Sequence, residues 1–278
     1  MPEIAEVRIS HDLMKDVVYK KTLSEVNLLT GRYSKKPPTN YTEFMSQLPS
    51  KVKEMNTRGK FLYLKLENDW SIGISFGMSG RMMKAENTDK HDHHRIEFKV
   101  EEGKYPKNTV YYNDMRNFGT INFWPPGSKN LEKKLKTLGP DLLQKTDLTK
   151  EEVEKLFRIK KYKDKDITKA IMSQEVLAGA GNWMRNEILF ETRVNPYAKV
   201  SSLDDETLYE IYQGLVKMSK NAYEYHKQNL TDDKPYKIIE LIWKVYMEDE
   251  FEGHPVIRNT KDPRTTHWVP ELQTKGKP

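Results

Sequence analysis

The chain contains no cysteine in 278 residues. That excludes disulfides, thiol catalysis and every Cys-ligated zinc or iron–sulfur site, so a bound metal would need histidine or carboxylate ligands. Long apolar runs are missing as well. No stretch approaches the roughly twenty apolar residues of a membrane span, and the N-terminal segment mixes acids with apolar groups. No internal repeat or low-complexity tract appears. A soluble, intracellular protein is expected, long enough for two modest domains. The charge leans basic, with 47 Lys plus Arg against 41 Asp plus Glu and a net +6. That suits a polyanionic partner and equally an ordinary lysine-rich protein.

Apolar spacing sets out the elements. Ile4, Val7, His11, Met14 and Val18 recur at helical intervals, predicting an amphipathic helix from Pro2 to Val18. Strand-like runs follow at Leu23 to Leu29, Val52 to Leu66, Trp70 to Phe76, Arg95 to Val100, Val110 to Met115 and Thr120 to Trp124. Strands so closely spaced predict a mostly antiparallel sandwich or barrel, interrupted by a short helix at Tyr41 to Gln47. Leu138-Gly139-Pro140-Asp141 marks a break, after which the pattern turns helical. Thr149 with Glu152 reads as a capping box, and helices are expected at Ile167 to Val176, Asn182 to Glu191 and Leu203 to Gln228. Ile238 to Val245 and Val256 to Val269 read as a terminal strand pair. The expected fold class is α+β: an N-terminal antiparallel β-sandwich with an N-terminal helix over 1–137, then a helical domain over 138–278 with a small β appendage.

Four segments carry chemistry. If Met1 is removed, Pro2 becomes a free secondary amine with Glu3 beside it. An α-amino group has a pKa near roughly 8 against about 10.4 for Lys, so near neutral pH far more of it is uncharged and able to attack a carbon electrophile and form a Schiff base. Met-Pro alone is also an ordinary way for a chain to begin. In Thr57-Arg58-Gly59-Lys60-Phe61, Arg58 and Lys60 lie at a strand entry, where Lys60 would reach a phosphate or simply remain solvated. The Gly-bracketed turn Phe76-Gly77-Met78-Ser79-Gly80-Arg81 and the segment Asp114-Met115-Arg116-Asn117-Phe118-Gly119 offer Met and Phe, as core fillers or as wedges of the kind that enter a duplex. Leu177-Ala178-Gly179-Ala180-Gly181-Asn182-Trp183 is a Gly-rich helix entry whose N–H groups suit a phosphate, though tight packing explains it about as well. The run His91-Asp92-His93-His94 is too contiguous to converge on one ion, and no metal site is expected there.

In this order, and with Pro263-Arg264-Thr265-Thr266 near the end, these segments resemble the formamidopyrimidine-DNA glycosylase/endonuclease VIII (Fpg/Nei) family of base-excision repair over nearly the whole chain. The resemblance implies a helix-two-turn-helix in the C-terminal domain and a finger from about 238 to 278. It implies Pro2 as the Schiff-base nucleophile, Glu3 as the acid/base at the sugar, Glu6 as a supporting carboxylate and Lys60 in phosphate binding and proton transfer. Met78, Arg116 and Phe118 fall where the family fills the hole left by an everted nucleotide. Arg58 would neutralise a phosphate, Asn182 and Arg264 fall at family phosphate contacts, and His93 lies near a family backbone contact. Most bacterial relatives in that family hold the finger with four Cys around zinc, whereas Trp268, Val269, Pro270, Glu271 and Leu272 stand here where the last Cys pair would be. The expectation is therefore a zincless finger, closest to the eukaryotic-type endonuclease VIII-like branch, which Gly181 to Leu189 also resembles. The implied activity is a bifunctional DNA glycosylase/AP lyase acting by β,δ-elimination on oxidised pyrimidines, formamidopyrimidines and hydantoins. The short segment Leu230 to Tyr236 favours these over 8-oxoguanine. A lyase for abasic sites alone and a non-catalytic damaged-DNA-binding protein remain the alternatives. The implied partner is damaged double-stranded DNA, with single-stranded DNA left open. No cofactor, no membrane, a monomer and a location with DNA in nucleus, nucleoid or viral replication site are expected.

Overall fold

The computed structural model describes residues 2–87, 92–229 and 243–278. Its contacts divide the chain into one unit of residues 1–137 with 226–235 and a second of 138–225 with 236–278.

In the first unit, helix α1 (Ile4–Val18) carries the apolar stripe that the spacing predicts, with Val7, Met14, Val17 and Val18 buried. Strands β1 (Thr22–Leu28), β2 (Ser50–Arg58), β3 (Phe61–Leu66), β4 (Ser71–Ser75), β5 (Gly80–Lys84), β6 (His94–Val100), β7 (Thr109–Asp114) and β8 (Thr120–Trp124) form a sandwich-like antiparallel sheet in the order β5-β7-β6-β1-β2-β3-β4-β8. Short helices α2 (Arg32–Lys35) and α3 (Tyr41–Met45) follow β1. The core gathers the α1 stripe with Leu62, Leu64, Ile72, Phe98 and Val110. Phe44 of α3 plugs it, edge-on to Trp70 at 5.5 Å and tilted on Phe123 at 4.6 Å. The α1 helix packs on β5, where the Met82 N–H donates to Ser10 Oγ at 3.3 Å.

Two departures from the periodicity have physical causes. The run Val52 to Leu66 is two strands, reversed at the two-residue turn Gly59-Lys60. The expected turn at 76–81 passes directly into β5, whose core residues are Met82 and Met83, side chains with no strand signature.

In the second unit, α4 (Asn130–Lys136) of the preceding segment gives way to α5 (Lys150–Phe157), α6 (Ile167–Met172), α7 (Asn182–Glu191) and α8 (Asp205–Asn229), whose last turn counts with the first unit. The capping box at Thr149 forms as expected: its Oγ1 accepts the Glu152 N–H at 3.2 Å and Glu152 Oε2 accepts its N–H at 2.8 Å. Leu138-Gly139-Pro140-Asp141 does more than mark a break. It clasps the Gly-rich turn, the Gly139 N–H donating to the Gln174 carbonyl and the Ala178 N–H to the Pro140 carbonyl, each at 2.8 Å.

Of the terminal strand pair expected at 238–245 and 256–269, the second run is itself a hairpin. Residues 238–242 lie outside the described residues, and the hairpin pairs β11 (Ile257–Asn259) with β12 (Thr266–Trp268), after a smaller pair of β9 (Glu250–Phe251) with β10 (His254–Pro255). Trp243 to Val245 form no strand, and Glu187 takes the N–H groups of Lys244, Val245 and Tyr246 at 3.0, 3.0 and 2.7 Å. Among the described residues no helix is long and apolar enough to cross a membrane.

Candidate active site

The N-terminus is built around a helix start. The first N–H groups of any helix lack intrahelical acceptors, and its positive end favours carboxylates. Here Glu3 is the N-cap of α1, and Glu6 Oε2 accepts the Glu3 N–H at 3.0 Å in a capping box. Pro2, half-buried, precedes a Glu3 that is only 1% exposed. The other oxygen of Glu6 lies 3.3 Å from His226 Nε2, on a buried histidine in the last turn of α8. Burial resists the charge on Glu6, but the hydrogen bond and charge of His226, with backbone N–H groups, outweigh it and hold the carboxyl below its ordinary range. Pro2, Glu3 and Glu6 were legible as a group. His226 was not, because a histidine in a polar helix end 220 residues away carries no signal.

Arg58 closes β2 and Lys60 occupies the turn before β3, both half-buried. Lys60 is thus a hairpin-turn residue and not, as the run implied, part of a strand face; the reversal at Gly59 is the cause.

The next group lies on turns flanking β5, β7 and β8. Met78 precedes β5, and Arg116 and Phe118 follow β7, with Arg116 Nη1 3.6 Å from Met78 Sδ. Phe118 is 58% exposed and Met115 59%, which removes the core-filler reading for Phe118. His93, exposed, stands beside them: its carbonyl accepts the Asp114 N–H at 3.0 Å and its Nδ1 lies 3.4 Å from Arg95 Nη2.

A further group joins α7 to the hairpin. The α7 N-cap is Gly181, which has no capping side chain. Asn182 Nδ2 donates to the Thr265 carbonyl at 3.2 Å. Arg185, buried, sends Nη2 to the carbonyls of Arg264 and Thr265 and to Thr266 Oγ1 at 3.3, 3.1 and 3.2 Å. Asn186 Oδ1 accepts the His267 N–H at 3.1 Å. Asn182 and Arg264 therefore belong to one cluster, with the Arg264 side chain exposed at the hairpin. Arg185 and Asn186 escaped sequence reasoning because a helical Arg-Asn pair reads as a solvated face. Around the hairpin, Val245, Val256 and Val269 pack on Phe190 of α7 together with Phe251 and Leu272, and Trp268 meets Tyr197 edge-on at 5.6 Å.

Among the described residues no three His, Asp or Glu side chains gather as a metal set, and His94 stacks on Tyr111 at 4.3 Å. With no cysteine in the chain, the residues present do not fit a thiolate zinc site.

Comparison with known proteins follows the same division. Residues 1–121 match the family model described as the formamidopyrimidine-DNA glycosylase N-terminal domain, and residues 138–234 match its H2TH domain. The formamidopyrimidine-DNA glycosylase of Ligilactobacillus salivarius is 27% identical over 221 residues, 78% of this chain and 75% of that protein. That of Bacillus cereus is 29% identical over 220 residues, with the same shares. In fold, the MutM (Fpg) protein of Thermus thermophilus aligns with a TM-score of 0.78 at 24% identity, covering 99% of this chain and 100% of its own. The Lactococcus lactis enzyme, non-covalently bound to DNA containing an AP site, aligns with a TM-score of 0.77 at 19% identity over 99% and 100%. On both domain matches and this shared fold, the chain belongs to the Fpg/MutM family of formamidopyrimidine-DNA glycosylases.

Proposed function

We propose that the protein is a DNA glycosylase and AP lyase of base-excision repair. The observation that carries this reading is the helix start itself: a proline at position 2, a secondary amine once Met1 is removed, backed by Glu3 and Glu6 at the positive end of α1, in a chain of this family. A damaged base inside a stack is out of reach, so its nucleotide must swing out at a cost of roughly a few kcal/mol. Met78, Arg116 and Phe118 offset that by filling the void, and the exposure of Arg116 and Phe118, with Met78 half-buried against Arg116, supports the role.

With Met1 gone, the Pro2 nitrogen forms a bond to C1′ while the N-glycosidic bond breaks, its electron pair leaving with the base, which takes up a proton. Glu3 manages protons on the sugar as its ring opens, help typically worth about two to four orders of magnitude. The resulting iminium acidifies C2′; loss of that proton expels the 3′ phosphate, and a second elimination expels the 5′ phosphate. Water then releases the sugar fragment from Pro2. Glu6, held anionic by His226, fixes the Glu3 backbone that carries this acid/base. Lys60 serves a phosphate and a transferring proton, Arg58 and Arg264 neutralise phosphates, and His93 contacts the backbone. Asn182 contributes to the clamp because an amide nitrogen has two protons and only one is used on Thr265.

Oxidised pyrimidines, formamidopyrimidines and hydantoins are the proposed lesions, on duplex DNA by a monomer; the 230–236 segment that informs this lies outside the described residues. The names of the curated relatives support the formamidopyrimidines. The finger is read as zincless, in the manner of the eukaryotic-type endonuclease VIII-like branch, since apolar packing and Arg185 already hold it.

Borohydride trapping on a thymine-glycol duplex tests the proposal. A covalent adduct is expected, lost in Pro2→Gly; no adduct, or one indifferent to that change, would sink it. Glu3→Gln should impair base release more than nicking at abasic sites, and equal loss of both would count against the role given to Glu3.

A further inference from the structure

The two turns that carry Met78, Arg116 and Phe118 meet on one buried carboxylate. Asp114, at the end of β7, has no exposed surface (0%). Its Oδ1 accepts the Ser79 hydroxyl at 2.5 Å on the Met78 turn, and its Oδ2 accepts the Gly119 N–H at 2.8 Å on the Phe118 turn. Ser79 Oγ accepts the Arg116 N–H at 2.8 Å, which closes a ring of contacts between the turns. Tyr112 adds its hydroxyl at 3.3 Å, and burial followed by the charge of Asp114 pushes that phenol upward, keeping it protonated as a donor. From behind, Arg95 Nε donates to the Asp114 carbonyl at 2.7 Å and Nη2 to the Met115 carbonyl at 3.2 Å.

The backbones themselves touch. A Cβ on Gly77, whose φ is +62°, would sit 2.7 Å from the Gly119 nitrogen, and one on Gly119 would sit 1.5 Å from the Tyr112 hydroxyl. A side chain at either glycine would not fit, and the Asp114 and Ser79 hydrogen bonds bridge the contact. The pairing of β5 with β7 already joins Gly80 to Asp114 through the backbone. The carboxylate spends its acceptors on the turns instead.

We propose that Asp114 is a positioning residue that makes the two turns a single wedge, so that Met78, Arg116 and Phe118 enter a duplex together. The inference rests on the glycosylase reading above. Buried as it is, Asp114 acts through Ser79, Gly119 and Arg116 and not by touching DNA. Side chains held in place beforehand lose less freedom on insertion, and a misplacement of about 1 Å can reduce a rate about 10²-fold.

The test compares full-length wild type, Asp114→Asn and Ser79→Ala on one oxidised pyrimidine, placed in a paired duplex and in an unpaired bubble of the same strand. Ser79→Ala removes a single hydroxyl from a half-exposed turn, so it carries the test if Asp114→Asn does not fold. The duplex-to-bubble ratio of kcat/KM should fall roughly 10-fold or more in both variants, because only the paired site has to be opened. A wild-type ratio in folded Ser79→Ala, or equal loss on both substrates, overturns the proposal. Wild-type protein that releases no base from either substrate overturns the glycosylase reading instead. The wedge is then read from 2-aminopurine opposite a tetrahydrofuran site: unstacking that Ser79→Ala loses supports it, and equal unstacking refutes it.

Discussion

Replacing His226 by alanine takes away the hydrogen bond and charge that outweigh the burial of Glu6, so the Glu6 carboxyl should rise from its depressed position. The sign matters for what is measured. A carboxyl held below its ordinary value of 4.5 contributes stability that is present above that value and lost as pH falls through the lower, folded one. In His226→Ala that contribution shrinks as the folded value approaches 4.5, so melting should depend less on pH below that value, and the acid limb of the trapping rate should move upward with the carboxyl. His226→Gln keeps a donor at similar reach and should restore part of the wild-type limb. Thermal melting and trapping between about pH 3 and 7 read both effects; identical acid limbs in wild type and His226→Ala would remove His226 from the site. Pro2, Glu3 and Glu6 could be grouped from their order alone, since neighbours on one helix turn stay neighbours in any fold. Their histidine partner depends on where α8 ends, which no local pattern states.

At the scale of elements, the C-terminal hairpin and the segment before it hang on α7. Glu187 satisfies three N–H groups of residues 244–246, while burial pushes its carboxyl upward against those hydrogen bonds. Glu187→Ala leaves these donors without that acceptor, and each buried donor left so costs about 1–3 kcal/mol. A lower melting temperature and weaker binding to lesion duplex are expected, and unchanged melting would show that other contacts carry the segment. Phe190→Ala empties the centre of the small apolar cluster with Val245, Val256 and Val269, at about 3–5 kcal/mol. A chelator, in contrast, should leave melting and trapping unchanged, because the chain has no thiolate and the cluster is apolar; stoichiometric zinc in active protein would refute this. Strands such as β3 and β7 were readable because apolar residues mark them. Helix α4 escaped because Leu131 is its only buried apolar residue, and β5 because methionine favours no period.

For the whole molecule, the net +6 and the exposed Arg264 predict that DNA binding on the proposed reading is under ionic control. The logarithm of affinity for lesion duplex should fall linearly with the logarithm of salt, and Arg264→Ala should lower the slope by about one. An unchanged slope would mean that Arg264 meets no phosphate. A tag left ahead of Pro2 should abolish trapping and spare this binding, since only the chemistry needs a free amine. By itself the sequence determined what the chain can be made of: no thiolate site, a proline beside carboxylates near its start, alternating and helical stretches in a family order. These follow from composition and local periodicity, which survive any arrangement of the elements. Only the tertiary structure decided that His226 meets Glu6 across 220 residues, Arg185 meets Thr266 across 81 and Ser79 meets Asp114 across 35. Such meetings depend on strand register and on how elements pack, and a local pattern fixes neither.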